Sequence, residues 1–453
     1  MIKTDVLVLG GGLAGLSTAY HLQKLGGVDA LVVEKEHDVG GLAGTVAKDG
    51  FLFDHTGHLL HLHDEYGKKL VLDLLGDNVA VHERSSWIYS RGVHTRYPFQ
   101  ANVYGLPENV VDDCVIGFLK GVHRPGQPLP ARPSFKEWCL KQFGPGISRH
   151  FMVPYNEKLW RVPLSRLTTE WQGRFVPRPS TAEVVYGAVT DQKKFFGYNA
   201  TFRYPVKGGI QVLPDALRAR LKLGQVRTGC SVEKIDLREK VAVVRKLGEV
   251  RYERLVNTLP LVDFLDLASP LPAPVKAARR KLRYNSVYNL NLGLSRPEKE
   301  GKHWIYFPEK KYPFYRVGYT SSFAKSMAPA GTSSLYIEAA RRAGERVDLP
   351  SLEKSIIAGL KSSGIVRSGD KILTKLWLPI RCAYVVYDFD RAPALERIFA
   401  HLNAEGVQSI GRYGAWKYSF MEETILDGKR CAEKLLGKSP ETETSQEELR
   451  PLK

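Results

Sequence analysis

The 453-residue chain contains few cysteines, and their spacing matches no metal or disulfide pattern. The five cysteines lie far apart, and no C-x-x-C occurs, so neither a disulfide framework nor a zinc site is predicted. No apolar run approaches the ~20 residues that a membrane-spanning helix requires. The first residues enter a predicted strand directly, without the layout of a signal peptide. We therefore expect a cytoplasmic protein without a transmembrane segment.

The chain also contains fewer acidic than basic residues. The chain has 66 Lys and Arg against 48 Asp and Glu, a formal net charge of +18. Such a balance favours polyanionic partners, but the charge is spread along the chain, and no nucleic-acid motif is present. We expect a solvated basic surface, no nucleic-acid partner, and a few arginines that bind phosphate-bearing ligands.

The strongest motif begins almost at the first residue. The apolar segment Asp5–Leu9 predicts a buried strand, and Gly10, Gly12 and Gly15 follow it as G-x-G-x-x-G before a helical pattern. A second predicted strand ends at Glu34, where an acidic residue can accept a hydrogen bond from a ribose. This context indicates a bound dinucleotide whose phosphates lie at the helix N-terminus. The alternative is a glycine-rich turn in an unrelated α/β protein.

A second glycine cluster follows Glu34 directly, in the segment 38–45. The two glycine clusters together resemble the flavoprotein superfamily that includes amine oxidases, protoporphyrinogen oxidase and UDP-galactopyranose mutase. The resemblance implies FAD as the dinucleotide, held non-covalently. It also implies that the four-histidine segment 55–63 approaches the flavin, and the histidine spacing does not favour a metal site. The expected cofactor-binding residues are Gly10, Gly12, Leu13, Ala14, Gly15, Glu34, Lys35, Gly41, Leu42, Gly57, His58, Val232, Gly411, Arg412, Tyr418, Ser419 and Met421.

Four further stretches narrow the resemblance to the UDP-galactopyranose mutase family, mainly its eukaryotic-like branch. The order and spacing of these stretches are similar to that family along most of residues 1–436. They are 96–102, 151–160 with Pro163 and Arg174, 198–205, and 304–309 with 313–316.

These stretches also carry the groups that a nucleotide-sugar site requires. Aromatic side chains can form the walls around a base, amides can read the edge of uracil, and guanidinium groups match phosphate oxygens. The expected substrate-binding residues are Tyr97, Phe99, Gln100, Phe151, Tyr155, Asn156, Trp160, Arg174, Asn199, Tyr306, Arg316, Tyr384 and Tyr418. Among them Arg174, Arg316, Tyr306, Tyr384 and Tyr418 are expected, with His58, to be catalytic. Tyr387, three residues further along the chain, is the alternative candidate for the role assigned to Tyr384.

The resemblance implies an isomerase in which reduced FAD displaces UDP from the sugar and the sugar ring recloses as furanose or pyranose. NAD(P)H is a candidate reductant, and polysaccharide biosynthesis is the expected context. Two alternatives stay open: an FAD-dependent oxidoreductase of the amine oxidase or protoporphyrinogen oxidase type, and a flavin-binding protein without catalysis. The family carries a short insert with a sugar-contacting asparagine after Tyr418, and this chain lacks it. The identity of the sugar therefore stays open.

The expected fold is α/β: a Rossmann-type FAD-binding domain with an inserted helical domain and an antiparallel β-sheet domain. We assign residues 1–64, 205–270 and 405–437 to the FAD-binding domain and 65–204 to the helical substrate-binding insertion. Residues 271–404 form the antiparallel sheet domain. Residues 438–453 are polar and charged, which predicts a disordered tail.

Overall fold

A computed structural model describes residues 1–123, 128–194, 196–197 and 200–438. The predicted disordered tail lies outside these residues except for Lys438. The α-helices of the described residues are, in chain order, α1 (Leu13–Gly26), α2 (Glu65–Leu75), α3 (Glu108–His123), α4 (Phe135–Ile147), α5 (Val153–Trp160), α6 (Thr181–Val189), α7 (Val212–Arg218), α8 (Leu261–Leu267), α9 (Ala273–Arg279), α10 (Leu349–Ser362), α11 (Arg391–Ala404), α12 (Gly411–Gly414) and α13 (Met421–Leu435). None of them is long and apolar enough to cross a membrane.

The strands divide into two large sheets and two short antiparallel pairs. They are β1 (Ile2–Leu9), β2 (Ala30–Val33), β3 (Thr45–Lys48), β4 (Phe51–Asp54), β5 (Ala80–Glu83), β6 (Ser86–Ser90), β7 (Val93–Arg96), β8 (Thr201–Tyr204), β9 (Val226–Arg227), β10 (Val232–Asp236), β11 (Val241–Val244), β12 (Gly248–Asn257), β13 (Ala268–Ser269), β14 (Tyr284–Leu294), β15 (Trp304–Tyr306), β16 (Arg316–Tyr319), β17 (Ser333–Arg342), β18 (Ile372–Val385) and β19 (Val407–Ser409). The two short pairs are β3–β4 and β5–β8.

The first sheet is built around β1, as the sequence predicts. Its order is β13-β10-β11-β12-β1-β2-β9, with β19 beside β12, and β1 is parallel to both β2 and β12. Val6 and Val8 pack with α1 and α13 on one face, while Leu7 and Leu9 join the largest core on the other. Because both faces are covered, β1 needs the continuous apolar run that the sequence shows.

The second sheet has the order β18-β14-β17-β16-β15-β6-β7. Its central strands pair antiparallel, which confirms the prediction for this region. Leucines and isoleucines of β14 and β17 pack against α10, so one face of this sheet is closed by a single helix.

The expected helical insertion, 65–204, needs a correction because it also supplies strands to this second sheet. β6 pairs with β15, and β7 pairs with β6 through a turn at Arg91 and Gly92. Both turn residues have positive φ, 55° and 84°, which suits a tight hairpin. The Arg-Gly dipeptide was therefore a local signal for a hairpin that the helical interpretation overlooked.

Two helices, α2 and α11, pack beside the first sheet although the sequence analysis assigned them to the other two domains. Leu70, Val71 and Leu75 of α2 share a core with Leu213 of α7 and Ile425 of α13. Leucines and isoleucines of α11 likewise pack in the core that covers the first sheet. The reason is that each helix has an apolar face, and this face is buried against the first sheet's layer. The exact partition into domains stays a prediction.

α1 and α13 lie side by side and run in the same direction. Ser17 Oγ donates to the Ile425 carbonyl at 2.6 Å, and further along the pair Gly26 lies against Leu436. A Cβ on Gly428 would lie 2.6 Å from the Ser17 Cβ, so only glycine permits this approach. The two helix N-termini therefore lie at the same end of the pair.

We predict that Gly428→Ala lowers the free energy of unfolding by about 1–3 kcal/mol because the added methyl overpacks the contact with Ser17. A glycine-to-alanine change inside an unobstructed helix instead stabilises, by up to about 1 kcal/mol. Urea unfolding measures the difference. Gly173→Ala is the matched control because nothing lies within 4 Å of its added Cβ. A stabilising effect of Gly428→Ala would contradict the close packing.

Candidate functional site

Three glycines shape the turn between β1 and α1. Gly10 has a φ of 102°, and a Cβ on Gly15 would lie 2.0 Å from the Gly10 carbonyl oxygen. Gly12 is the N-cap of α1 and offers no capping side chain. A Cβ on Gly12 would meet only the Gly40 carbonyl oxygen, at 4.0 Å. The start of α1, with Leu13 and Ala14, therefore borders space that backbone groups alone line.

The second glycine cluster faces the first. Gly40 N donates to the Gly11 carbonyl at 2.8 Å, and a Cβ on Gly41 would lie 3.7 Å from the Gly12 Cα. The Gln211 side chain donates to the Val39 carbonyl at 2.9 Å and fixes this loop. Leu42, the next residue, packs against the main core. The two clusters thus form opposite sides of one glycine-lined cradle.

Glu34 lies at the end of β2, beside this cradle. Its carboxylate accepts from Gly11 N at 2.7 Å and from Glu36 N at 2.9 Å. Cys230 N donates to the Glu34 carbonyl at 2.7 Å, which brings the start of β10 at Val232 nearby. The Lys35 side chain lies on the surface, paired with Glu36 at 3.2 Å.

The segment from Gly411 to Met421 connects the cradle with the second sheet. A Cβ on Gly411 would lie 2.8 Å from the Ala14 Cβ. Arg412 donates to the Ser419 carbonyl at 2.6 Å and to the Ala383 carbonyl of β18 at 3.3 Å. α13 then begins at Met421 without a capping side chain. A second helix N-terminus therefore lies beside the cradle.

The histidine segment follows β4 and contacts the second sheet. A Cβ on Gly57 would lie 2.5 Å from the Tyr336 hydroxyl, so packing against β17 explains this glycine. Burial, together with the nearby charges of His55, Arg412 and Arg316, lowers the pKa of His58 to about 3. His58 is therefore neutral near pH 7. No three His, Cys, Asp or Glu side chains of the described residues are grouped as metal ligands.

Five of the sequence-predicted aromatic residues form a continuous series of rings. Phe99 stacks on Phe151 at 5.0 Å between centroids, and Phe151 stacks on Tyr155 at 5.1 Å. Tyr155 meets Tyr306 edge-on at 5.3 Å, and Tyr306 lies 5.3 Å from Tyr97. The series joins the turn before α5 to β15. It forms one side of the candidate site.

Two buried amides lie beside these rings. Gln100 donates to the Pro177 carbonyl at 2.8 Å, while its Oε1 is buried without a hydrogen-bond partner in the described residues. Asn156 donates to the Met152 carbonyl at 2.8 Å. An acceptor such as Gln100 Oε1 is costly to bury unpaired, which indicates a ligand donor at this position.

Arg316 is a largely buried cation of the site, with its side chain 20% exposed. It lies opposite Tyr306 on β15 and opposite Glu338 on β17. The guanidinium forms a bidentate pair with the Glu338 carboxylate, with one contact of 2.7 Å, and Glu338 is 1% exposed. Burial alone would lower the pKa of Arg316, but the Glu338 charge raises it above its ordinary value. The guanidinium is thus permanently charged.

Tyr384 and Tyr418 complete this side of the site. Their rings are nearly parallel, 6.0 Å apart, and Trp160 meets Tyr384 edge-on at 5.7 Å. Burial raises the pKa of Tyr418, and the neighbouring Tyr384 adds to this effect. The Tyr387 hydroxyl instead accepts from the Tyr418 backbone at 2.7 Å. Tyr384 therefore occupies the site, and Tyr387 supports the backbone behind it.

Two of the expected substrate-binding residues, Arg174 and Asn199, have side chains outside the described part of the chain. The backbone of Arg174 belongs to the short turn Gly173–Phe175, whereas all of Asn199 lies outside the described residues. Conversely, sequence reasoning missed Arg84, which is buried with its guanidinium 4.8 Å from the Tyr97 ring. It also missed Glu338, although the single acidic residue of β17, between Ile337 and Ala339, was a usable signal for a buried charge.

Comparison with known families identifies the kind of protein that carries this site. A family model described as flavin containing amine oxidoreductase matches residues 13–436. The chain belongs to that family. Its structure is similar to that of a reduced UDP-galactopyranose mutase, with a TM-score of 0.92 and 27% identity over 98% of both chains. This agreement confirms the resemblance and the α/β fold that the sequence predicts.

Other relatives widen the range of activities. A putative protoporphyrinogen oxidase from Exiguobacterium sp. 255-15 shares the fold, with a TM-score of 0.72 and 13% identity over 96% of this chain and 98% of that chain. Coproporphyrinogen III oxidase of Bacillus subtilis (strain 168) is 21% identical over 361 residues, or 74% of this chain and 76% of that protein. The family alone therefore does not select one reaction.

The cradle fits the flavin dinucleotide that the family implies. Backbone N–H groups at an uncapped helix start suit a pyrophosphate, and no side chain fills the space in front of Gly12. A second uncapped helix start, at Met421, lies beside the start of α1, since Leu13 and Met421 belong to one core cluster. The family, the similarity to the mutase and these features together support FAD as the cofactor.

We predict that Glu338→Gln lowers the free energy of unfolding by about 3–5 kcal/mol because it leaves a buried guanidinium without its counter-charge. The double variant with Arg316→Met should recover part of the loss, and a double-mutant cycle in urea measures the coupling. The control is Glu345→Gln, three residues beyond the end of β17, where the carboxylate lies 3.5 Å from Arg341 and is partly exposed. Equal losses for the two glutamates would contradict a buried ion pair.

Proposed function

We propose that this protein is an FAD-dependent mutase that interconverts UDP-galactopyranose and UDP-galactofuranose, or a related UDP-sugar. The observation that carries this proposal is the buried, permanently charged Arg316 among Tyr306, Tyr384 and Tyr418. A site of this kind suits the diphosphate of a nucleotide sugar, whereas an oxidase for an apolar amine has no use for it. The 27% identity with a UDP-galactopyranose mutase over 98% of the chain supports the same conclusion.

In this proposal the ring series binds the uridine. The base lies at the Tyr155 end of this series, because Phe99 and Tyr155 already stack on Phe151, and it gains apolar and π contact there. The unpaired Oε1 of Gln100 accepts a hydrogen bond from the uracil N–H, and Asn156 lies next to it. This assignment gives the buried Gln100 acceptor the partner that it lacks among the described residues.

Arg316 and the three tyrosines bind the diphosphate. Burial raises the pKa values of Tyr384 and Tyr418, so both hydroxyls keep their protons and can donate to phosphate oxygens. The charge of Arg316 favours the departure of UDP because it stabilises the negative charge that develops there. We assign Arg174 and Asn199 to the same substrate on the resemblance alone.

The glycine cradle would hold FAD non-covalently, with the N–H groups at the start of α1 facing its pyrophosphate and Glu34 facing a ribose. Bound FAD, once reduced with NAD(P)H as a candidate donor, would supply a nucleophile for the anomeric carbon. In this proposal His58 lies near the flavin. Because its imidazole is neutral, it adds no positive charge that would repel the guanidinium groups of Arg412 and Arg316. The protein's own contribution is to bind, orient and exclude water around the reacting atoms.

Counting turnovers per reducing equivalent tests this function. A mutase consumes no electrons overall, so one anaerobic reduction with dithionite should support many conversions of a UDP-furanose sugar. The oxidised protein should be inactive. An oxidase starts oxidised and yields one reduced flavin or one hydrogen peroxide per turnover. If the reduced protein converts no UDP-sugar and the oxidised protein consumes an amine or a porphyrinogen, the mutase proposal is wrong.

We predict that Arg316→Lys weakens UDP binding by about 1.5–3 kcal/mol because an ammonium group cannot form the bidentate contact. The change retains the charge beside Glu338, so FAD content should stay the same. Calorimetry with UDP measures the effect. Arg367→Lys is the control, since Arg367 pairs with Glu300 on the surface. Equal UDP affinity in the Arg316→Lys variant would refute the role of Arg316.

A further inference from the structure

Tyr384 follows an irregular stretch of β18. Asn285 of β14 pairs with Tyr384, and Val287 pairs with Ile380. Between these two pairs, three residues of β18 therefore face one residue of β14. An irregularity of this kind bends the strand, redirects the side chains beside it and interrupts the ladder. The position of Tyr384 thus depends on contacts other than a regular ladder.

The side chain of Asn285 supplies such a contact. This residue is 1% exposed. Its Oδ1 accepts from the Tyr384 backbone N–H at 3.0 Å, and its Nδ2 donates to the Leu159 carbonyl at 2.6 Å. The Leu159 carbonyl belongs to the last turn of α5, where carbonyls have no partner within the helix. One buried amide therefore links β18 on one side to α5 on the other.

This link joins two parts of the candidate site. α5 contains Tyr155, Asn156 and Trp160, and the Trp160 ring meets the Tyr384 ring edge-on at 5.7 Å between centroids. The two hydrogen bonds of Asn285 fix the Tyr384 backbone relative to the helix that carries these residues. The place of the Tyr384 hydroxyl follows from that of its backbone.

The last turn of α5 has a second attachment that does not involve Asn285. Lys158 Nζ donates to the Phe307 carbonyl at 2.7 Å and to the Glu309 carbonyl at 3.0 Å. Phe307 directly follows Tyr306, so this contact ties α5 to the end of β15. Removal of the Asn285 amide should therefore release Tyr384 while α5 keeps its place.

We propose that Asn285 is a positioning residue that holds Tyr384 at the diphosphate through its hydrogen bonds to the Tyr384 backbone and to α5. The proposal rests on the proposed function, in which the Tyr384 hydroxyl donates to a phosphate oxygen. Asn285 acts through Tyr384 and not on the ligand, because its donor and its acceptor are both paired within the protein. A displacement of about 1 Å can cost up to about 100-fold, so we expect Asn285→Ala to weaken UDP binding about 10-fold.

A double-mutant cycle with Tyr384→Phe tests this role, by calorimetry with UDP on the FAD-loaded protein. Tyr384→Phe alone should weaken UDP binding about 10- to 100-fold because one charge-assisted hydrogen bond is lost. Adding Asn285→Ala to Tyr384→Phe should then cost little more, whereas the losses of independent residues multiply. The affinity for uridine, which has no phosphate, should stay unchanged in every variant. A purely structural role for Asn285 would lower both affinities.

Two further variants keep the test sharp. Asn285→Ser leaves a hydroxyl that can replace one of the two hydrogen bonds, so its loss of UDP affinity should be smaller and should also vanish beside Tyr384→Phe. It decides the question if Asn285→Ala does not retain FAD. Asn78→Ala is the matched control, since the Asn78 amide also donates once and accepts once, to the Lys207 backbone, away from the site. It should leave UDP affinity unchanged.

The outcomes separate this proposal from the function on which it rests. If Tyr384→Phe weakens UDP binding but the losses multiply, or if Asn285→Ala and Asn285→Ser have no effect, Asn285 is not a positioning residue and the mutase function stands. Equal losses of UDP and uridine affinity also overturn the proposal. If UDP does not bind, or binds equally well to Tyr384→Phe, the proposed role of Tyr384 fails, and that of Asn285 fails with it.

Discussion

The pairing of Arg316 with Glu338 is the interaction on which the candidate site depends. Burying a guanidinium without a counter-charge would cost several kcal/mol. The carboxylate of Glu338, on the adjacent strand, offsets most of that cost. The same register that sets these two residues opposite each other also sets Tyr306 opposite Arg316. Two adjacent antiparallel ladders, β15–β16 and β16–β17, therefore fix a cation, its neutralising acid and a tyrosine. A bound diphosphate would meet a charge that is already positioned.

The glycine cradle depends on a different constraint, which is the close parallel packing of α1 and α13. Gly428 and Ser17 bring the two helices together, and both helices begin without a capping side chain. The segment from Gly411 to Met421 joins this helix pair to β18 through Arg412. The dinucleotide half and the arginine half of the site are thus connected by a single short stretch of chain. Tyr418 and Phe420 both belong to it.

The parts of the molecule that follow local rules were predictable from the sequence. The spacing of Gly10, Gly12 and Gly15 depends only on a turn and the helix after it. The predictions of β1, α1 and the acidic residue Glu34 were therefore correct. The strands of the second sheet were also recognisable from their local sequence, although β14 and β17 are buried almost throughout and only β18 shows stretches of alternating burial. The neighbouring hairpin β6–β7 was missed because its membership of that sheet depends on a pairing with β15, more than 200 positions away. Glu338 was missed because its importance depends on which residue lies opposite it.

A structure of the reduced, FAD-loaded protein with UDP bound tests the central claim most directly. The account predicts the diphosphate within hydrogen-bonding distance of the Arg316 guanidinium and of the Tyr306 and Tyr418 hydroxyls. It also predicts the uracil beside Tyr155, with its N–H directed at Gln100 Oε1. UDP bound elsewhere, or a diphosphate that leaves Arg316 paired with Glu338 alone, would contradict the account.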